Sequence, residues 1–148
     1  MASSKPFVSP SFSYETLEET LDIKPKGAEL CIGIPKENSF NENRIALTPD
    51  AVGVMIANGH QVVVETKAGD GASYTDKDYS EAGAKIAYDK KEVFECDIIV
   101  KSAPVSEMEC ELLKPNQFII SPIHMAVMKR EILQKMMDKK ITALSFEN

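Results

Sequence analysis

Short apolar runs alternate with longer amphipathic segments along the chain from Glu29 onward. The apolar runs are four to six residues long and show little polar alternation, which is typical of strands buried on both faces of a parallel sheet. The longer segments repeat their apolar residues every three or four positions, which indicates helices. We expect every strand, the last one included, to be buried. The predicted strands are residues 30–34, 61–66, 85–88, 97–101, 118–121 and 141–146.

This alternation predicts an α/β fold with a doubly wound, mostly parallel sheet flanked by helices. The expected arrangement is a three-layer αβα domain of the flavodoxin-like or Rossmann-like kind, with right-handed crossovers. Local signals support the helices: Thr48 suits an N-cap, Pro49 a first helical position and Gly59 a terminator. A second helix is predicted from Asp76 and is closed by Gly83. Further helices are predicted at residues 90–95, 107–113 and 128–139.

Residues 1–27 differ from the rest because they are rich in Ser, Pro and Thr and show no sustained strand or core-helix period. We interpret them as a flexible or surface-docked N-terminal arm, and residues 28–148 as one α/β domain. Within the arm, Leu17 and Leu21 are four positions apart. This spacing is compatible with a short helix over residues 14–21 that docks on this chain or on a neighbouring subunit.

The composition agrees with one globular domain and excludes several classes of protein. Of the 148 residues, 43% are hydrophobic and 27% are charged, which is enough apolar side chain for one core. No apolar run approaches the ~20 residues that a membrane span needs. The formal net charge of −6 argues against nucleic acid as a partner, because binding to phosphates needs a basic face.

The cysteines indicate a reducing environment. The chain has an odd number of cysteines, and they are widely spaced: Cys31, Cys96 and Cys110. We therefore expect reduced, mostly buried thiols rather than a metal site or a redox pair. The N-terminus also lacks the basic stretch and apolar core of a secretory signal. These features together predict a cytoplasmic protein and give no sign of a metal site.

Candidate functional residues follow the predicted strands, because the carboxyl ends of parallel strands collect the chemistry of such sheets. Arg44 lies in the loop after the first strand, and an arginine is suited to hold a carboxylate through two parallel hydrogen bonds. The alternative is a structural pair with Glu37 or Glu42. Lys101 ends the fourth strand, where its ammonium would reach the same edge of the sheet unless it is a solvated surface lysine.

His124 lies just beyond the fifth predicted strand, after Ser121 and Pro122. An imidazole at that position is suited to take or give a proton near neutral pH, although a lone loop histidine is more often structural. The other histidine, His60, lies in a helix-to-strand turn. The topology therefore places His60 at the opposite edge of the sheet, where a structural role is expected.

The glycines of the segment AGDGAS do not form a nucleotide-binding motif. The chain contains no G-x-G-x-x-G between a strand and a helix and no G-x-x-x-x-G-K-[ST]. A turn built around Gly69 and Gly71 is the simpler interpretation. We therefore expect no cofactor-binding residues within this chain.

Several segments, taken in order, resemble one family. The resemblance covers residues 29–148 and is to the N-terminal domain of alanine dehydrogenase and to the NAD-binding component of nicotinamide nucleotide transhydrogenase. Blocks that recur in the same order are far more specific than any single motif. The segments that carry it are IGIPKENSFNENRIALTPDAV, NGHQVVVETKAGDGASYTDKDYSEAGAKI, CDIIVKSAP and ITALSFEN.

The resemblance implies a substrate-side domain of a two-domain oxidoreductase whose NAD is held mainly by a downstream Rossmann domain outside this chain. It implies reversible oxidative deamination of L-alanine to pyruvate and ammonium, and a homo-oligomer. By matching motifs, Arg44 inherits the role of binding the substrate carboxylate and His124 the acid/base role, while Lys101 matches a lysine at the substrate loop. The transhydrogenase branch generally lacks a histidine at that position, which favours the dehydrogenase.

One loop departs from the family pattern. Alanine dehydrogenases usually carry Lys-Val-Lys-Glu-Pro, whose second lysine contacts the substrate, whereas this chain reads Lys101-Ser102-Ala103-Pro104. The second lysine falls on Ala103. This loop is closer to the transhydrogenase style, so the transhydrogenase stays as an alternative, with a saccharopine dehydrogenase-like enzyme as a third.

Overall fold

A computed structural model describes residues 27–38, 41–124 and 127–146 of the chain. The predicted arm and its short helix lie almost entirely outside these residues. The strands of the sheet are β1 (Cys31–Ile34), β2 (Gln61–Glu65), β3 (Lys85–Ala87), β4 (Ile98–Val100), β5 (Phe118–Ile120) and β6 (Thr142–Leu144). The helices are α1 (Pro49–Ala57), α2 (Asp76–Glu81), α3 (Lys90–Val93), α4 (Glu107–Leu112) and α5 (Arg130–Asp138), and a 3-10 turn spans Asp70–Ala72.

The strands form one parallel sheet in the order β3-β2-β1-β4-β5-β6. The chain winds outward from β1 to β3, returns to the centre and winds outward again through β4 to β6. This is the strand order of the Rossmann type rather than the flavodoxin type, and it confirms the predicted α/β class. The point at which the winding reverses lies between β1 and β4, where Ile32 pairs with Ile98.

Two apolar cores separate the helices onto the two faces of the sheet. Right-handed crossovers place the helices of the two windings on opposite faces, because the direction of travel across the sheet reverses. One core joins α1 and α2 to β1 and β2 through residues such as Val52, Tyr79 and Val64. The other core joins α3, α4 and α5 to the centre of the sheet through residues such as Phe94, Ile99 and Cys110. The predicted three layers are therefore present.

The predicted helix signals are confirmed at α1 and α2. The Thr48 hydroxyl accepts a hydrogen bond from the Ala51 N–H at 3.4 Å, and Pro49 is the first helical residue. Gly59 follows the helix with a φ of +89°, a conformation that favours glycine. α2 starts at a reciprocal cap between Thr75 and Asp78.

The last strand differs from its prediction, because β6 is exposed along its whole length instead of buried. It is an edge strand whose only neighbour in the sheet is β5. The sequence of β6 is as apolar as that of a central strand, but a strand is buried only where other elements cover it. Leu144, in this strand, is 56% exposed.

The prediction of three reduced thiols is wrong for two of them. Cys31 and Cys96 are paired as a disulfide, with their Cα atoms 4.8 Å apart. They meet because β1 and β4 are neighbours in the sheet, although the residues are 65 positions apart in sequence. Cys110 is a buried free thiol, and burial raises its pKa. In the part of the chain described, no helix is long and apolar enough to cross a membrane.

Replacing each of two glycines with alanine should change the free energy of unfolding in opposite directions. In Gly33→Ala, the new Cβ would lie 2.5 Å from the Val93 carbonyl oxygen, so we expect a loss of about 1–3 kcal/mol in the free energy of unfolding. Gly53 lies inside α1, and in Gly53→Ala the new Cβ would lie 4.0 Å from the Ala82 carbonyl oxygen, so we expect a gain of roughly 0.5–1 kcal/mol. Urea denaturation of the two variants checks both signs, and equal effects would contradict the close packing at Gly33.

Candidate active site

The carboxyl edge of the sheet at the β1–β4 boundary is where a doubly wound fold is expected to hold its ligand, because the loops leave in opposite directions there. In this protein a side chain crosses that boundary. The Glu37 carboxylate, in the loop after β1, accepts hydrogen bonds from the Ser102 N–H at 2.7 Å and the Ala103 N–H at 3.2 Å. Its other oxygen accepts from the Lys101 ammonium at 2.8 Å. Glu37 therefore closes the crevice and fixes the loop after β4.

Lys101 is the centre of a buried network of ion pairs. Its side chain is 1% exposed, and its ammonium also donates to Glu109 at 2.9 Å. Glu109 in turn accepts from the Lys90 ammonium at 3.1 Å and from the Ser106 N–H at 2.9 Å. The alternative of a solvated surface lysine at position 101 is therefore wrong. Its proposed contact with a substrate stays a prediction.

Glu109 remains ionised in this network. Burial alone raises its pKa, but the charge of Lys101 and the hydrogen bond from Ser106, together with Lys90, outweigh that effect and lower the pKa of the carboxyl. An ion pair at this depth is strongly disrupted by loss of one partner, because the remaining charge is left without water. The network thus holds β4, α4 and the loop after β1 in one arrangement.

Arg44 is on the opposite side of the loop after β1, and its side chain is 68% exposed. Its guanidinium donates to both oxygens of Glu42, from Nε at 2.9 Å and from Nη2 at 2.8 Å. The hydrogen bonds from Arg44 lower the pKa of Glu42 to about 2. The pairing with Glu42 that the sequence left open is therefore present. It also shows that the guanidinium fork is oriented to hold a carboxylate at this position.

Arg44 and Lys101 line the same cavity of about 370 Å³ at the carboxyl edge of the sheet. Two predicted substrate residues from different loops are thus brought together. The remaining wall is mostly apolar, which suits a small substrate with one charged group. The other lining residues are Ile45, Ala46, Val100, Ser102, Ile120 and Phe146.

His124 lies at the same edge of the sheet but lines a different cavity, of about 420 Å³. Its side chain is exposed, and its carbonyl oxygen accepts from the Val127 and Met128 N–H groups at 3.0 and 2.9 Å. Val105 and Ile132 form part of the same apolar wall. The structure therefore does not bring His124 into the cavity of Arg44. His60 is at the opposite edge, as predicted, where its Nδ1 accepts from the Leu30 N–H at 3.4 Å.

The residues of this edge do not fit a dinucleotide phosphate. The turn after β1 contains Pro35, Lys36 and Glu37 in place of glycines, so the backbone cannot approach a pyrophosphate closely. The Glu37 carboxylate also occupies the crevice and takes up the Ser102 and Ala103 N–H groups that a phosphate would need. No step of the chemistry is therefore assigned to a cofactor held by this chain.

Sequence reasoning missed the two acidic partners of Lys101. Glu37 is 64 positions from Lys101, so no local pattern indicates the contact. The sequence does contain a local signal for the position of Glu109, because Ser106 and Glu109 have the spacing of a capping box. Both hydrogen bonds of that box are present. Near the network, the Ser121 hydroxyl is buried at the end of β5 without a hydrogen-bond partner among the described residues.

Comparison with known proteins decides the family. Residues 33–148 match the family model described as "Alanine dehydrogenase/PNT, N-terminal domain". The chain belongs to this family. As a domain of the alanine dehydrogenase/PNT family, it is 39% identical over 119 residues to the alanine dehydrogenase of Methanococcus maripaludis, a match that covers 80% of this chain and 32% of that protein. It is 37% identical over 118 residues to the alanine dehydrogenase of Bacillus subtilis, covering 80% and 31% respectively.

Solved structures give the same result for this alanine dehydrogenase/PNT domain. An L-alanine dehydrogenase superposes with a TM-score of 0.76 at 33% identity, covering 80% of this chain and 32% of that one. A transhydrogenase from Sinorhizobium meliloti superposes with a TM-score of 0.70 at 27% identity, covering 78% and 34%. The domain is thus alanine dehydrogenase-like, and it spans about a third of the length of these relatives.

Removal of the Lys101 ammonium tests the buried network. Lys101→Met removes the cation between Glu37 and Glu109 and leaves Lys90 as the one described cation on Glu109, so we expect the free energy of unfolding to fall by about 3–5 kcal/mol. The matched control is Lys85→Met, which removes an exposed ion pair with Glu92 and should cost at most about 1 kcal/mol. Urea denaturation measures both, and equal losses would contradict a buried network.

The lowered pKa of Glu109 predicts a loss of stability in acid. A carboxyl with a lower pKa in the folded state adds stability above its ordinary value of 4.5, and this stability is lost as the pH falls through the folded pKa. The free energy of unfolding should therefore decrease as the pH falls below about 5.

In Glu109→Gln this decrease should be shallower, whereas the exposed control Glu81→Gln should keep the wild-type slope. Urea denaturation at a series of pH values gives the three slopes. A slope unchanged in Glu109→Gln would remove Glu109 as its source.

Proposed function

We propose that this chain is the substrate-binding part of an NAD-dependent alanine dehydrogenase-like oxidoreductase. The reaction is the reversible oxidative deamination of L-alanine to pyruvate and ammonium. The observation that carries the proposal is the shared cavity of Arg44 and Lys101 at the carboxyl edge of the sheet, in a domain of this family. The substrate is a small carboxylate, and Arg44 lines this cavity beside a mostly apolar wall. The guanidinium itself pairs with Glu42, which lines a second cavity that Arg44 shares.

Arg44 binds the substrate carboxylate in this proposal. Its two hydrogen bonds to Glu42 are the geometry that a bound carboxylate would adopt. The substrate therefore takes the place of Glu42 at the fork, or shares the fork with it. Lys101 is the second substrate residue; it lines the same cavity, and hydrogen bonds to Glu37 and Glu109 fix its ammonium.

His124 acts as the acid/base group. It lies on the loop after β5, next to the strand that carries Lys101, and it is exposed at the carboxyl edge. A histidine in that position can exchange a proton with the substrate oxygen near neutral pH. For this role the His124 side chain must turn from its present cavity toward the cavity of Arg44. The described residues of that loop, 121–124 and 127–129, are neither helix nor strand.

The hydride acceptor, NAD, would be held mainly by residues outside these 148, because the residues here do not fit a dinucleotide phosphate. The match covers only 32% and 31% of the two alanine dehydrogenases, which leaves room for such a part. We further propose a cytoplasmic homo-oligomer with no nucleic-acid partner and no membrane partner. The arrangement then places substrate and cofactor on opposite walls of a cleft.

A transhydrogenase is the second candidate. The observation that favours it is the loop Lys101-Ser102-Ala103-Pro104, which lacks a second lysine, together with the structural similarity to the Sinorhizobium meliloti transhydrogenase. In that case Arg44 and His124 would not carry amino-acid chemistry. Alanine-dependent reduction of NAD by the full-length gene product separates the two candidates.

Substitution of the two proposed groups tests their roles in the full-length gene product. Arg44→Lys keeps the charge but loses the fork, so we expect KM for pyruvate to rise by roughly 10–100-fold, as the loss of a charged hydrogen bond predicts. His124→Ala should lower kcat by about 10²–10⁴-fold, the usual contribution of a general acid/base.

The matched controls are Arg130→Lys in α5 and His60→Ala at the opposite edge of the sheet, and both should leave these constants unchanged. If Arg44→Lys and His124→Ala stay within a few-fold of wild type, the assignment of both residues fails.

A further inference from the structure

Glu42 makes three hydrogen bonds to a single residue, Arg44. Its Oε1 accepts from the Arg44 backbone N–H and from Nε, both at 2.9 Å, and its Oε2 accepts from Nη2 at 2.8 Å. The Glu42 side chain is only 13% exposed, so its carboxylate belongs to the packed part of the loop after β1. Glu42 therefore fixes the direction in which the guanidinium of Arg44 extends.

The loop that carries this pair is itself anchored on both sides of Arg44. On one side, Gly71 lies so close to Asn43 that a Cβ at position 71 would be 2.9 Å from the Asn43 Cα atom and 3.0 Å from its carbonyl oxygen. On the other side, the Tyr79 hydroxyl in α2 donates to the Leu47 carbonyl oxygen at 2.8 Å. The backbone next to Arg44 is thus held by the turn after β2 and by α2.

One guanidinium can bind two carboxylates at the same time. It has five N–H donors in one plane, and a bidentate pair with a carboxylate uses two of them. Glu42 takes the edge formed by Nε and Nη2. An arginine whose side chain is already fixed loses less conformational freedom when it binds an anion than one that moves freely. The contact with Glu42 therefore favours binding of a second carboxylate by Arg44.

We propose that Glu42 is a positioning residue that stays on Arg44 while the substrate carboxylate binds, rather than a carboxylate that the substrate displaces. This inference rests on the proposed function, in which Arg44 binds the substrate carboxylate, and it decides between the two arrangements left open there. Gly71 acts through the same loop, because its lack of a side chain lets Asn43 lie against the turn. Hydrogen bonds from Arg44 lower the pKa of Glu42 to about 2, so the pair stays charged near neutral pH.

Steady-state kinetics of the full-length gene product test the role of Glu42. In Glu42→Ala the guanidinium loses its fixed orientation, so we expect KM for pyruvate to rise by roughly 5–30-fold and kcat to stay within about 3-fold of wild type. Displacement of Glu42 by the substrate predicts the opposite, a KM below the wild-type value, because a competing carboxylate is removed. An unchanged or lowered KM would overturn the proposal. The matched control is Glu92→Ala, which removes an exposed ion pair with Lys85 and should leave both constants unchanged.

A double substitution separates positioning of Arg44 from a general effect on the fold. Lysine has no Nε–Nη2 edge for Glu42 to hold, so Glu42→Ala should change KM little when Arg44→Lys is already present. An equal rise of KM in both backgrounds would overturn the proposal, because the effect would then not pass through the guanidinium. A wild-type KM in Arg44→Lys alone would remove the proposed substrate site, and the role of Glu42 with it.

Gly71→Ala tests the anchored loop from outside the site. The new Cβ forces the backbone of Asn43 to move, so we expect KM for pyruvate to rise by at least ~3-fold with little change in kcat. The matched control is Gly53→Ala in α1, where the nearest atom to the new Cβ is 4.0 Å away, and KM should keep its wild-type value. Thermal unfolding verifies that both variants fold. A wild-type KM in folded Gly71→Ala would overturn the part of the proposal that assigns the orientation of Arg44 to the anchored loop.

Discussion

The buried ion pair between Lys101 and Glu37 is the constraint on which the rest of the carboxyl edge depends. A doubly wound sheet has its natural crevice where the winding reverses, and here that crevice is bridged by a carboxylate that also holds the loop backbone after β4. Glu109 completes the neutralisation of Lys101 from the first turn of α4. Without the network, two loops and a helix would lose their common anchor. With the network in place, the cavity that remains at this edge is lined by Arg44 and not by Glu37.

The carboxyl edge therefore carries two kinds of charged side chain, one buried and one exposed to solvent. The inner charges, those of Lys101, Glu37 and Glu109, are buried and paired with one another, so they hold the surrounding loops in place. The outer charge of Arg44 is exposed to solvent and pairs with Glu42, and an exposed ion pair of this kind contributes little to stability. Rigidity at this edge thus comes from the inner network, whereas the exposed charge is that of Arg44.

Local sequence patterns predicted the fold well, because caps and apolar runs are local properties. Thr48, Pro49 and Gly59 act where their side-chain chemistry predicts, and every predicted strand is present, although most are shorter at one end. Contacts between distant residues could not be predicted in this way. Glu37 meets Lys101, and Cys31 meets Cys96, only because the sheet order makes β1 and β4 neighbours. The exposure of β6 could not be predicted either, because an apolar sequence suggests burial but does not show which element would cover the strand.

The Cys31–Cys96 pair has a mechanical consequence when it is seen together with Glu37. The first joins β1 to the start of β4 at the amino edge of the sheet, and the second joins the loops that follow the same two strands at the carboxyl edge. The seam between the two oppositely wound halves is therefore fastened at both ends. Separation of the two halves would therefore have to break a contact across the β1–β4 boundary at each edge of the sheet.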